Sequence, residues 1–353
     1  MSSDDNYQTF IKDKNNPIIK SELLPAHTDI HAFRDPYIFY EDGFYYLLAG
    51  ARDNRGYGKI LLFKSNDLYK WEYINTIMRS NLMGNPGIFE CPSIKKIGDK
   101  YLLVASINFI KTKNHKYQNF ASTVAVIGKL NLSNGEFKHG QLVELDAGFD
   151  YYAPQIFNND DERIITVGWM NMWERNYFTK DENWIGGLSL PREITINNKN
   201  QIRQFPLKEF LDNEVVVSVT KSIKGKKTIS LPSSCHLSFD LFIKDNINKI
   251  TLFDFVDITI DPIKNLIVFD RTKCPNVIKS TSPFEEESNI RYLDYKIKNK
   301  IHFDIFLDVS SIEIFIDHGK KVMTGLIYPN KKDTYESIFD VYEIKNFIIK
   351  QIK

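Results

Sequence analysis

The stretch "HAFRDPYIFYEDGFYYLLAGARD", residues 31–53, sets an opposite-charge pair, Arg34-Asp35, ahead of Pro36 and a run of aromatics that otherwise reads as a buried strand. Two later segments align with it on a proline: "ECPSIKKIGDKYLLVA" from Glu90 and "YAPQIFNNDDERIITV" from Tyr152. Pro36, Pro92 and Pro154 stand 56 and 62 residues apart, and the register then holds without a gap. Ile38, Ile94 and Ile156 lie two residues past the proline; Asp42-Gly43, Gly98-Asp99 and Asp160-Asp161 lie six and seven past it. Each copy predicts a β-hairpin, because the turn pair supplies Gly or Asp, which tolerate positive φ.

Further strand-and-turn segments fill the intervals, at 59–74, 122–140 and 186–205, so each repeat holds about four strands. Four antiparallel strands recurring at this period point to a β-propeller. The innermost strand of every propeller blade starts at one central cavity, so Arg34-Asp35 and Glu90 are expected to line a polar funnel. Asp-Pro is also a common turn opener, but a carboxylate recurring at nearly the same register favours a shared site. Two carboxylates facing one cavity are what glycoside hydrolysis requires: one protonates the leaving oxygen and the other stabilises or attacks the oxocarbenium-like centre. Arg34 is expected to set the charge of its neighbour Asp35.

Composition agrees with an all-β chain. The 25 Phe, 18 Tyr and 4 Trp among 353 residues, with many β-branched runs, favour strands over helices. Lys plus Arg is 46 against 45 for Asp plus Glu, which leaves no electrostatic footprint for nucleic acid or an anionic membrane. No window approaches the roughly 18 apolar residues of a membrane helix. Cys91, Cys235 and Cys274 are odd in number and lack close-pair spacing, which argues against a disulfide framework and fits a reducing compartment. The seven His are scattered, and no metal site or other cofactor is expected.

At this point the motifs resemble glycoside hydrolase family 32, the β-fructosidases that include invertases, sucrose-6-phosphate hydrolases, levanases and inulinases. The resemblance rests on "FRDP" (33–36), "ECP" (90–92), "YAPQ" (152–155), "GWM" (168–170), "WIGGLSLPRE" (184–193) and "LDVSSIEIFIDHGKKVMTGLIYP" (307–329), six short motifs in family order. It implies a five-bladed propeller followed by a β-sandwich, and retaining cleavage of sucrose, sucrose 6-phosphate or fructans. Carried over by position, Glu90 is the acid/base, Asp35 the transition-state stabiliser that grips fructose hydroxyls, and Arg34 a substrate-binding residue. The family's nucleophilic Asp stands in a "WMNDPNG"-type motif of the first blade, and no such motif occurs here; Trp169-Met170-Asn171 follows "YAPQ" and continues as Met-Trp. With about three repeats found, the expected fold is an incomplete propeller, a truncated or split-gene form inactive by itself. Its exposed blade edges are expected to meet a separate N-terminal chain or a second copy. A non-catalytic carbohydrate-binding remnant is the alternative. A cytoplasmic location is expected, although a missing N-terminal part would have carried any leader.

The remaining residues divide at about 212. Residues 1–212 read as the partial propeller and 213–353 as the β-sandwich, from shorter alternating runs such as "HLSFDLFI" (236–243), "LIVFD" (266–270), "HFDIFLD" (302–308) and "SIEIFID" (311–317), with "PLKEFLDN" (206–213) as a short helical link. Asp150, just before the third hairpin, and Tyr152 are expected to face the funnel and bind substrate. Trp184, with Trp173, is a candidate sugar-stacking platform at the rim. Glu313 is expected to alternate outward on its strand, and neither it nor Asp317 is expected to take part in catalysis.

Overall fold

In the computed structural model, residues 8–80, 87–110, 112–157, 162–282 and 288–352 are described. The turn pair Asp160-Asp161 of the third repeat lies outside them. The chain folds as two compact units, residues 1–103 with 127–140, and residues 104–126 with 141–353. Both are built from antiparallel strands.

The first sheet runs β1 (Arg34–Glu41), β2 (Phe44–Arg52), β3 (Gly58–Ser65) and β4 (Trp71–Arg79) in sequence order, as one propeller blade requires. Asp42 and Gly43 join β1 to β2 with φ of 49° and 81°, the two left-handed residues of a hairpin whose twist matches its strands. Leu47, Ala49, Ala51, Leu61, Phe63 and Trp71 form the apolar face that this sheet buries. The second sheet repeats the order with β5 (Phe89–Ile97), β6 (Lys100–Asn108), β7 (Ala121–Asn131) and β8 (Glu136–His139), and the short β9 (Val143–Glu144) pairs with β7. The third contains β10 (Tyr152–Phe157), β11 (Ile164–Met170), β14 (Arg192–Ile196) and β15 (Ile202–Pro206). Its long β11–β14 connection carries β12 (Arg175–Asn176) and β13 (Gly187–Leu188), the latter pairing with β11. All three sheets expected from the repeat are present.

A single helical turn, α1 (Lys208–Leu211), links the third sheet to the C-terminal strands. These are β16 (Glu214–Pro232), β17 (Cys235–Phe242), β18 (Asn248–Leu252), β19 (Val256–Asp261), β20 (Leu266–Asp270), β21 (Lys279–Ser280), β22 (Ile290–Asp294), β23 (Lys300–Asp308), β24 (Ser311–Ile316), β25 (Lys321–Leu326) and β26 (Thr334–Ile352). β21 pairs with β12 and the others are hydrogen-bonded in one sheet. The two layers of the sandwich branch from β26: its Ile338–Asp340 part pairs with β18, and its Glu343–Lys350 part with β17. The branch β18-β19-β20-β22 and the branch β17-β23-β24-β25 then close over one core, in which Ile250, Ile258 and Ile267 share a cluster with Leu237, Phe303 and Ile314. β16 and β26 are each 19 residues long, where short alternating strands were expected. The Lys- and Ser-rich "SVTKSIKGKK" of β16 hides its strand character, and bulges at Val216/Ser218 and Lys224/Gly225 let it bend. No described helix is long and apolar enough to cross a membrane.

Candidate active site

In the first unit, the strand starts of β1 and β5 come together. Asp35 and Cys91, each immediately before its proline, have φ of 58° and 48°. A left-handed L-residue is uncommon, and more so before proline. In β1 the ladder slips between Arg34 and Tyr37, the bulge that strand alternation required if neighbouring side chains were to turn to one side. Arg34 sits opposite Gly50 of β2, and a β-carbon on Gly50 would stand 2.3 Å from the Phe89 carbonyl oxygen. Only glycine lets the Phe89–Glu90 backbone lie there, which carries Glu90 to Arg34. At the far ends of the strands, Glu41 ties β1 to the next hairpin by accepting from Tyr101 Oη at 2.7 Å and pairing with Lys96.

The resulting cluster holds two carboxylates on one guanidinium. Arg34 Nη2 lies 2.5 Å and Nε 3.2 Å from Glu90 Oε1. The same Nε is 4.0 Å from Asp35 Oδ2. The two carboxylate oxygens therefore cannot be further apart than the sum of those Nε distances, so both flank one guanidinium. Arg34 was expected to serve Asp35, but its short ion pair is with Glu90. Asp35 Oδ2 instead accepts from the Cys91 backbone N–H at 3.0 Å, with Cys91 Sγ at 3.7 Å. Burial first, and then the Asp35 and Glu90 charges, push the Cys91 thiol up to about 12, so it is a neutral neighbour with no thiolate chemistry at pH 7. The side chains of Arg34, Asp35 and Glu90 keep 35%, 31% and 15% of their exposure, so a solute can reach them.

The third repeat, in the second unit, keeps the backbone without the charge. Ala153 before Pro154 has φ 48°, the β10–β11 ladder slips between Tyr152 and Gln155, and the Ala153 N–H donates to Ser106 Oγ at 3.0 Å. Tyr152 occupies the position of Arg34 and Glu90, yet it is buried against Phe120, Ala121 and Met172. It packs where substrate contact was expected. Asp150 is likewise corrected: it is fully buried, and both oxygens are taken. Oδ1 accepts from Arg175 at 2.9 Å and Tyr177 Oη at 2.8 Å, and Oδ2 from Arg271 at 2.5 Å and the Leu326 N–H at 2.8 Å. Those two guanidiniums outweigh the burial that would raise the Asp150 carboxyl, and hold it below the usual range. Trp184 and Trp173 are exposed; Trp184 stands edge-on to Tyr328, and Trp173 edge-on to Trp169.

Glu313 points inward, against expectation. Arg192, fully buried over the Tyr151 ring, binds Glu313 Oε2 at 2.5 Å, Asp146 Oδ2 at 3.0 Å and Thr324 Oγ1 at 2.6 Å. This network joins β14 to β24 and β25, and its role is structural. Glu313 was misread because a buried carboxylate is tolerated only with a partner, and Arg192 lies 121 residues away. Asp317 closes the turn after β24, where Oδ1 accepts from the His302 N–H and Oδ2 from Tyr295 Oη.

Residues 1–206 match the family model for the glycosyl hydrolases family 32 N-terminal domain, and residues 192–350 match that for the family 32 C terminal. The chain belongs to glycosyl hydrolase family 32. Among curated family 32 relatives, the sucrose-6-phosphate hydrolase of Staphylococcus xylosus is 27% identical over 86% of this chain and 61% of its own length. That of Bacillus subtilis is 26% identical over 87% of the chain and 63% of its own length. This family 32 chain thus spans about three fifths of the curated relatives it matches. Among solved structures, a family 32 β-fructofuranosidase of Bombyx mori superposes with TM-score 0.82 at 23% identity, over 97% of this chain and 70% of that one. A sucrose-6-phosphate hydrolase of Lactobacillus gasseri gives 0.79 at 24%, over 94% and 68%. These likenesses establish the propeller-plus-sandwich fold. Two contributors to the family 32 site escaped sequence reasoning, Gly50 and the Cys91 N–H. Gly50 was accessible, because counting back from the Asp42-Gly43 turn sets it opposite the start of β1.

Proposed function

We propose that this chain carries two of the working carboxylates of a β-fructosidase, with Glu90 as acid/base and Asp35 as the group that binds fructosyl hydroxyls and stabilises positive charge at the anomeric carbon. The observation that supports the reading is the shared Arg34 Nε, 3.2 Å from Glu90 and 4.0 Å from Asp35, which gathers both carboxylates at one partly exposed point. In cleavage, Glu90 gives its proton to the glycosidic oxygen as the bond breaks, and Asp35 offsets the oxocarbenium charge. Arg34 orients Glu90 and is in reach of a sugar hydroxyl. Trp184 serves as a rim platform for a further sugar unit. Retaining hydrolysis also needs a nucleophilic carboxylate. The 353 residues hold no "WMNDPNG"-type motif, so the reading has that carboxylate supplied by a polypeptide that bears one.

Substrates of the sucrose, sucrose 6-phosphate or fructan class fit the names of the relatives, three of which are sucrose-6-phosphate hydrolases and one a β-fructofuranosidase. The free thiols of Cys91, Cys235 and Cys274 fit a reducing, cytoplasmic setting. A second reading, non-catalytic sugar binding, is favoured by the missing nucleophile motif. Titration of fructose into the chain by NMR tests the common core of both. Saturable shifts that Asp35→Asn weakens by about tenfold or more, the worth of a charged hydrogen bond, are expected. Shifts unchanged by Asp35→Asn would reject the assignment of Asp35.

A further inference from the structure

Away from that cluster, on the sandwich, three side chains converge without a task in hydrolysis. His302 and Asp304 lie two apart on β23, hence on one face of it. His318 comes from the turn between β24 and β25. His302 Nε2 and His318 Nδ1 stand 3.1 and 3.8 Å from Asp304 Oδ2, and the three ligand atoms all lie within 4.8 Å of one another. Asp304 is 4% exposed, and its buried Oδ2 has the two imidazole nitrogens as its ion-pair contacts. A carboxylate buried this deeply needs charged partners or a cation beside it.

The surroundings orient each group. His302 Nδ1 hydrogen-bonds Asp240 Oδ1 at 3.0 Å, which leaves Nε2 facing Asp304 Oδ2. Asp304 Oδ1 is held by His236 Nε2 at 3.1 Å, and His236 Nδ1 by Glu214 at 2.7 Å. A histidine backed by a carboxylate is the usual outer support of a metal ligand. The His318 turn is fixed as well. Asp317 and His302 exchange backbone contacts, Gln204 N–H donates to Gly319 O at 3.1 Å, and a β-carbon on Gly319 would meet that Gln204 backbone. His318 itself has φ 54°, a left-handed backbone that sets its ring against His302, with centroids 4.2 Å apart. The carboxylates of Asp240, Asp304 and Asp317 outnumber the nearby Arg203 guanidinium and Lys300 ammonium.

We propose that His302, Asp304 and His318 form a site, open to solvent at one position, for a divalent transition-metal cation of the zinc type. Two imidazoles and one carboxylate suit zinc, and a tetrahedral ion with bonds of about 2.0–2.1 Å needs ligand atoms roughly 3.3 Å apart; His302 already stands near that separation from Asp304, and the exposed His318 ring reaches it by turning out of its stack on His302. Water completes the fourth position. The ion clips the β24–β25 turn to β23.

The test is calorimetric titration of the chelator-treated 353-residue chain with zinc chloride, paired with a thermal melt. One equivalent is expected, with a raised melting temperature. His318→Ala, whose side chain is mostly exposed and so leaves the fold intact, is expected to weaken binding at least tenfold. Asp240→Asn is expected to weaken it by about 10–100-fold, the usual effect of losing a supporting carboxylate. No saturable uptake at about tenfold molar excess of zinc, several equal sites, or uptake by His318→Ala equal to wild type would each overturn the proposal.

Discussion

Glu144 on β9 shows how one carboxyl sets a pH dependence. Its Oε1 accepts from the Tyr117 N–H at 2.8 Å, and a small polar cavity beside it is lined by His115, Lys116, Asp294 and Lys321. Burial dominates and raises the carboxyl to about 7 from an ordinary 4.5, despite the Tyr117 hydrogen bond and Lys321. The folded protein therefore keeps this proton up to about pH 7, whereas the unfolded chain releases it near 4.5. Stability from this group is present below the unfolded value and is lost as pH rises through that window. Glu144→Gln removes the effect, so its unfolding free energy relative to wild type should rise between pH 5 and 8 by up to about 3 kcal/mol, at 1.36 kcal/mol per pKa unit. Denaturant melts of both proteins at several pH values measure it, and a difference that stays flat with pH would refute it. This residue was invisible in the sequence. "LVELDAG" names no partner for its carboxyl, and Lys321, which lines the same cavity, lies far along the chain.

Between strands, the missing β-carbon of Gly50 decides where Glu90 lies. Gly50→Ala drives a methyl into the Phe89 carbonyl, and overpacking of this kind costs about 1–3 kcal/mol. A lowered melting temperature together with weakened fructose binding is expected; full retention of both would separate this contact from the site. The hairpins were legible because their signals are local: a proline, an alternating run and a turn pair at fixed offsets. The bulges before Pro36 and Pro154 were legible only as a need, since two neighbours on one strand cannot face the same way without one. What the local signals could not supply was the ionic pairing. Asp150 stood ready for the funnel by position, but Arg175 and Arg271, 25 and 121 residues away, claim it inside the second unit. Tyr152 kept the register and lost the role, because a tyrosine at that position is free to turn into apolar neighbours. The length of β16 went unread because it is Lys- and Ser-rich and mostly exposed, with no apolar alternation to mark it.

For the whole molecule, membership of family 32 and the span of about three fifths of the curated relatives frame one question, whether two carboxylates act without the third. Removing an essential member of a catalytic set typically leaves only the residual effect of binding and charge stabilisation. On the proposed reading the chain supplies the acid and the stabiliser, and the nucleophile is supplied by a segment bearing the family motif. The most direct measurement is fructose release from sucrose and sucrose 6-phosphate by the purified 353-residue chain, alone and joined to a polypeptide bearing a "WMNDPNG"-type carboxylate. The account predicts no release above the blank for the chain alone, and release by the joined protein that Glu90→Gln lowers by about 100-fold or more, the worth of a general acid. Turnover by the chain alone, or joined-protein turnover indifferent to Glu90→Gln, would contradict it.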